Sequence, residues 1–119
     1  MGWETILHPD FEAELVAFSS EVQTEIAAAS RLLRCHGPFL GRPRIDTLKG
    51  STISNLKEFR FLVGREPWRL AFVFDPSRQA IFLVAGSKSG MSSALFYTRL
   101  IKLAEKRYRS HVKGMGMSL

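Results

Sequence analysis

The chain has 119 residues, enough for one domain and no more. Lys and Arg number 17 against 11 Asp and Glu, a net charge of +6 that calls for an acidic partner, either nucleic acid or an acidic protein segment. The hydrophobic fraction of 45% suffices for a packed core, and no run approaches the ~20 apolar residues of a bilayer span.

The opening Met1–Thr5 lacks a basic stretch followed by an apolar run, so no secretory leader is expected. Cys35 is the sole cysteine and can form neither an internal disulfide nor, alone, a structural zinc site. A cytoplasmic location without membrane attachment, bound metal or small-molecule cofactor is expected.

In chain order, Trp3–His8 reads as a strand stopped by Pro9. Asp10 is placed to cap a helix whose apolar stripe is Phe11, Leu15 and Phe18. Ser20 with Gln23 fits a capping box for a second helix bearing Val22, Ile26, Ala29 and Leu33, ended by Gly37-Pro38. The two would form an αα-hairpin. Gly41 to Ser51 is turn-rich and basic. Beyond it the apolar period switches from 3.6 to 2, predicting strands over Leu56–Val63, Trp68–Asp75 and Gln79–Ser87 in an antiparallel meander. Trp68, Leu70, Phe72 and Phe74 should face a core with Leu15, Ile26 and Leu100. Phe96, Leu100, Leu103 or Ala104, Arg107 and Tyr108 follow helical spacing and predict a closing helix over about Ala94–His111. The expected fold is α+β, ordered β-α-α-β-β-β-α: an antiparallel sheet with an N-terminal αα-hairpin and a C-terminal helix. Residues 1–113 would form the single domain and 114–119 a disordered tail.

Arg60 and Arg69 sit mid-strand, opposite the aromatic stripe, and should project from one side of the sheet. Lys57 and Arg65 lie near them in sequence, and Lys88 follows the third strand in Gly86-Ser87-Lys88-Ser89-Gly90. Cations in fixed positions suit phosphate, which Arg engages through two N–H donors. The same pattern is also that of a solvated face, or of structural bridges from Arg60 or Arg69 to Glu58, Glu66 or Asp75. His8, His36 and His111 are scattered, no metal-ligand spacing occurs, and the Gly86–Gly90 loop lacks phosphate-loop spacing.

Leu48-Lys49-Gly50, Leu56-Lys57-Glu58-Phe59-Arg60-Phe61, Trp68–Phe74, Val84–Gly90, Phe96-Tyr97 and Ala104–Tyr108 together resemble the RelE/ParE superfamily of bacterial type II toxins. The closest resemblance is to its HigB-like, phage-derived branch. That resemblance implies a metal-independent endoribonuclease that enters the ribosome and cuts mRNA there. A cognate antitoxin, usually a helix-turn-helix protein, would neutralise it. It also implies that Arg69 holds the phosphate and Lys88 stabilises the transition state or protonates the leaving oxygen. Arg60 would supply the arginine of a Glu-x-Arg pattern, and Tyr97 would stack on or orient the substrate. Lys49, Lys57, Arg65, Arg107 and His111 complete the set expected to contact RNA. RelE-like enzymes carry two lysines just before the arginine of that strand; here the places hold Leu56 and Glu58, with Lys57 on the opposite pleat. Two alternatives stay open on that account: a ParE-like inhibitor of DNA gyrase, and a catalytically inactive protein that binds an antitoxin and regulates with it.

Overall fold

The computed structural model describes residues 2–114. A first strand, β1 (Glu4–Leu7), leads into α1 (Pro9–Leu15) and α2 (Ser20–His36). A single 3-10 turn over Gly37–Phe39 follows, then β2 (Ile45–Thr47), β3 (Leu56–Val63), β4 (Glu66–Asp75), β5 (Gln79–Ser87) and the long α3 (Ser93–Gly114).

The five strands form one sheet in the order β1-β5-β4-β3-β2. The meander β3-β4-β5 is antiparallel as expected. Pro67 is tolerated near the start of β4, where Gly64-Arg65 makes the two-residue hairpin and Gly64 takes φ +62°. A register shift beside Ala71/Phe72 pairs Ala71 with Val84 and Phe72 with Phe82, leaving Leu83 as the extra residue of a bulge on β5.

Both faces of the sheet are covered. On one, Phe59, Phe61, Leu70, Phe72, Phe74 and Phe82 pack beneath α1 and α2 through Phe11, Val22, Ile26 and Leu33. On the other, Leu56, Ala71, Val73, Ile81 and Leu83 pack beneath Phe96, Leu100 and Ala104 of α3. This is why Ile81–Ala85 reads as an unbroken apolar run.

The structure departs from the sequence reading at five points. The sheet is mixed, because β1 pairs parallel to β5, with Ile6 opposite Ile81. The turn-rich basic segment contributes β2, an edge strand on β3. Leu100 lies across the sheet from Phe72 rather than beside it, since residues 71 and 73 bury a second core. The helix caps fall earlier than predicted: His8 Nδ1 accepts from the Asp10 amide at 3.1 Å, and Ser19 Oγ accepts from the Val22 amide at 3.3 Å. The Gln23 amide instead donates to the Leu15 and Phe18 carbonyls, tying α2 to the end of α1. Gly37 ends α2 as expected; a Cβ there would sit 2.6 Å from the Trp3 ring. Finally α3 runs through Gly114, the first residue of the expected tail, and 115–119 lie outside the described residues.

Candidate functional site

Arg60 of β3 and Arg69 of β4 are direct cross-strand partners. Two like charges so placed repel unless something stands between them. Glu58, two residues before Arg60 and therefore on the same face, supplies that counter-charge. It is only 3% exposed. Its Oε2 accepts from Arg60 Nε at 3.0 Å and Arg60 Nη2 at 2.9 Å. Its Oε1 accepts from the Tyr97 hydroxyl at 2.8 Å and lies 3.4 Å from Arg69 Nε.

Tyr97, on the first turns of α3, closes the arrangement. Its hydroxyl oxygen accepts from Arg69 Nε at 3.1 Å while its proton goes to Glu58. Arg69 Nη1 donates to the Trp68 carbonyl at 3.0 Å, and Asp46 Oδ2 lies 3.3 Å from Arg60 Nη2. Each guanidinium is thereby oriented, yet each keeps one terminal nitrogen with no partner among the described residues, Nη1 on Arg60 and Nη2 on Arg69. The Lys88 amide donates to the Pro67 carbonyl at 2.8 Å, carrying the β4–β5 ladder one residue past Ser87. Its ammonium sits 5.0 Å from the Tyr97 ring centroid.

The chemistry of the cluster follows from these contacts. Burial, then the hydrogen bond to Glu58, pushes the Tyr97 phenol above its ordinary range, so it stays protonated at neutral pH. Glu58 holds Arg60 firmly in its charged form. Both Glu58 oxygens are engaged by donors, and none of the three histidines enters the cluster. The arrangement can hold an anion at the free guanidinium nitrogens and present a phenol and an ammonium beside it.

The other predicted RNA contacts divide. Lys49 joins the site: with Asp46, Leu48, Glu58, Arg60 and Tyr97 it lines a cavity of about 370 Å³. Lys57 points to the opposite face, its ammonium 2.9 Å from Thr47 Oγ1. Arg65 is at the exposed hairpin tip, at least three ladder steps, roughly 10 Å, from Arg60. Arg107 is a correction. It is 7% exposed, with Nη1 donating to Glu14 Oε1 and to the Leu83 carbonyl, each at 2.8 Å, and Nη2 to Glu14 Oε2. It is a bidentate clamp between α3 and α1, ten residues or about 15 Å along the helix from Tyr97. His111 lies beyond it, stacked on Tyr108 and beside His8 and Asp10, about 21 Å from Tyr97. Glu58 appeared in the sequence only as a departure and a bridging option; its pairing with both arginines comes from strand register that alternation alone does not give.

A five-stranded mixed sheet between an αα-hairpin and a long C-terminal helix is consistent with a RelE-like fold. Residues 13–109 match the family described as phage-derived protein Gp49-like (DUF891). The chain belongs to that family, in agreement with the HigB-like, phage-derived resemblance. Two relatives from Mycobacterium tuberculosis are each 37% identical. One, named "Putative toxin HigB2", aligns over 94% of this chain and 55% of its own length, so this chain spans about half of that relative. The other, named "Putative toxin HigB3", aligns over 86% of this chain and 87% of its own.

Proposed function

We propose that this protein is the toxin of a type II toxin–antitoxin pair and that it cuts mRNA on the ribosome. Family membership and the names of its relatives support the toxin reading. The observation that carries the nuclease reading is the pair of oriented guanidinium groups, each with a free terminal nitrogen, gathered with Tyr97 around Glu58, the Lys88 ammonium lying over the Tyr97 ring.

In the proposed reaction a ribose 2′-hydroxyl gives its proton to solvent water as its oxygen attacks its own 3′-phosphorus, forming one P–O bond as the bond to the next nucleotide's 5′-oxygen breaks. The products are a 2′,3′-cyclic phosphate and a 5′-hydroxyl. Arg69 and Arg60 hold the non-bridging oxygens, where charge develops in the phosphorane. The Lys88 ammonium gives its proton to the departing 5′-oxygen. Tyr97, a neutral phenol, orients the nucleotide.

In vitro translation with primer extension on the mRNA tests this. Arg69→Ala and Lys88→Ala should each reduce cleavage by ~10²–10³ while melting cooperatively. Arg34→Ala, exposed on α2, is the control for charge loss. Equal cleavage by the Arg69 and Lys88 variants would refute the site. Wild type that never cuts on translating ribosomes would favour a binding protein, and inhibition of supercoiling would identify the gyrase alternative. A cognate antitoxin is proposed to cover the basic site, binding less tightly as salt rises. Failure of the genomic neighbour to co-purify, with both proteins soluble, would count against the pair.

A further inference from the structure

Helix α3 carries most of the positive charge of this protein. Between Ser93 and Gly114 stand six Lys or Arg and one Glu, so 6 − 1 gives +5 of the whole chain's +6. Arg107 turns inward to Glu14. The other five, Arg99, Lys102, Lys106, Arg109 and Lys113, are exposed. Their spacings of three and four residues confine them to a stripe about 80° wide, running about 21 Å along the helix. The stripe is centred roughly 140° around the helix from Phe96, Leu100 and Ala104, on the side away from the core.

An ordinary solvated helix face mixes both signs. Here Glu105 is the one acid in the helix, and it is engaged: Oε2 accepts from Ser51 Oγ at 2.7 Å and from the Thr52 amide at 2.8 Å. Its other oxygen lies 3.9 Å from Arg109, the one stripe cation with an ion pair among the described residues. The helix dipole favours cations only in the last turn, which accounts for Lys113 but not for Arg99, Lys102 or Lys106. Across the sheet the balance reverses: α1 and α2 together hold two basic and five acidic residues, 2 − 5 = −3.

The stripe is also continuous with the arginine cluster. The cavity at Glu58 and Arg60 shares Lys49 and Tyr97 with a second one, lined by Thr98, Ile101, Lys102 and Glu105. We infer that this groove and the α3 stripe form one track for an RNA phosphate backbone, leading from the arginine cluster along the helix. The inference deepens the nuclease reading and rests on it for the direction of the strand. An acidic protein segment fits less well, because such a segment needs apolar anchors. The outer face of α3 offers only Leu95, at its first turn.

The backbone could belong to the substrate strand or to ribosomal RNA, and two probes separate these sources. A triple variant, Arg99→Gln, Lys102→Gln and Lys106→Gln, is titrated with salt against a short labelled single-stranded oligoribonucleotide and against vacant ribosomes. Removing one cation from a phosphate lowers the slope of log K against log salt by about 0.7–0.9. The track therefore predicts a slope smaller by about two on at least one probe. Arg31→Gln with Arg34→Gln, on the acidic side, should leave both slopes unchanged. A smaller slope on the oligonucleotide assigns the track to the substrate, and a smaller slope on ribosomes assigns it to ribosomal RNA. Wild-type slopes on both probes would overturn the track, even if Arg69-dependent cleavage stands. So would wild-type slopes combined with weakened antitoxin binding, which would make the stripe a protein-binding surface. A stripe-dependent slope without any cleavage would leave the track intact and sink only the nuclease reading.

Discussion

Glu58 decides what Arg60 and Arg69 can do. Without it, two guanidinium groups would face each other across a ladder pair; with it, both are oriented and each keeps a terminal nitrogen free for an anion. Its contact with Tyr97 provides a readout independent of activity. Burial raises the phenol's pKa first and the Glu58 hydrogen bond adds to that, while Arg69 opposes both. Replacing Glu58 with Ala leaves Arg69 in place and removes an interaction that favours the protonated phenol. In a Tyr108→Phe background, which leaves one tyrosine, the Tyr97 phenolate of Glu58→Ala should therefore appear at lower pH than that of the parent, followed by ultraviolet titration. An unchanged or higher midpoint would mean that Glu58 does not hold Tyr97 in solution. Arg60 and Arg69 were legible in the sequence as two residues of one pleat. Their sharing of one carboxylate was not, because period-two alternation gives the face and not the facing partner.

The strands of the meander were legible nearly to the residue. Phe59, Phe61 and Val63, and then Trp68, Leu70, Phe72 and Phe74, alternate strictly, and Gly64-Arg65 and Pro76–Arg78 punctuate them. Short β2 was hidden because Ile45–Thr47 is three residues long and lies among turn formers. The parallel pairing of β1 is non-local and leaves no mark on its own four residues. Helix α3 was recognised, and Arg107 fell in its apolar series, yet it was expected to contact RNA rather than to turn inward. Only the partner, Glu14 on α1, separates those two roles. Arg107→Ala should remove the bidentate pair and the bond to the Leu83 carbonyl together. Glu14 is 41% exposed and can be rehydrated, so the cost should fall near the lower end for a broken buried pair, about 3 kcal/mol, read from urea unfolding. A cost below about 1 kcal/mol would show that this clamp contributes little to holding α1 against α3.

At the scale of the whole molecule, charge and titration are segregated. The basic side is α3 with the arginine cluster, and the acidic side is the αα-hairpin. They meet where His8, at the junction of β1 and α1, lies near Asp10 and Glu14 of α1 and Arg107 and His111 of α3. His8 is 4% exposed, and its Nδ1 must stay unprotonated to accept the Asp10 amide. Burial holds its pKa below the ordinary 6.5, aided by Arg107 and His111 and opposed by Asp10 and Glu14. Above pH 6.5 neither the folded nor the unfolded chain protonates this imidazole, and the stability it contributes is complete. As pH falls through 6.5 the unfolded chain takes up a proton that the native state refuses, so unfolding becomes easier until the lowered native pKa is reached. Glu14 and Glu105, whose pKa values are held below 4.5 by Arg107 and by Ser51, add their own losses only at lower pH. The loss from His8 therefore begins as pH falls through 6.5, before those carboxylates take up protons. His8→Asn keeps an acceptor at the helix cap and cannot titrate. Its urea midpoint should change less than that of wild type between pH 7 and about 5, while His36→Asn, exposed at the end of α2, should follow wild type. Parallel pH profiles for His8→Asn and wild type would locate the acid sensitivity elsewhere and remove His8 from the account.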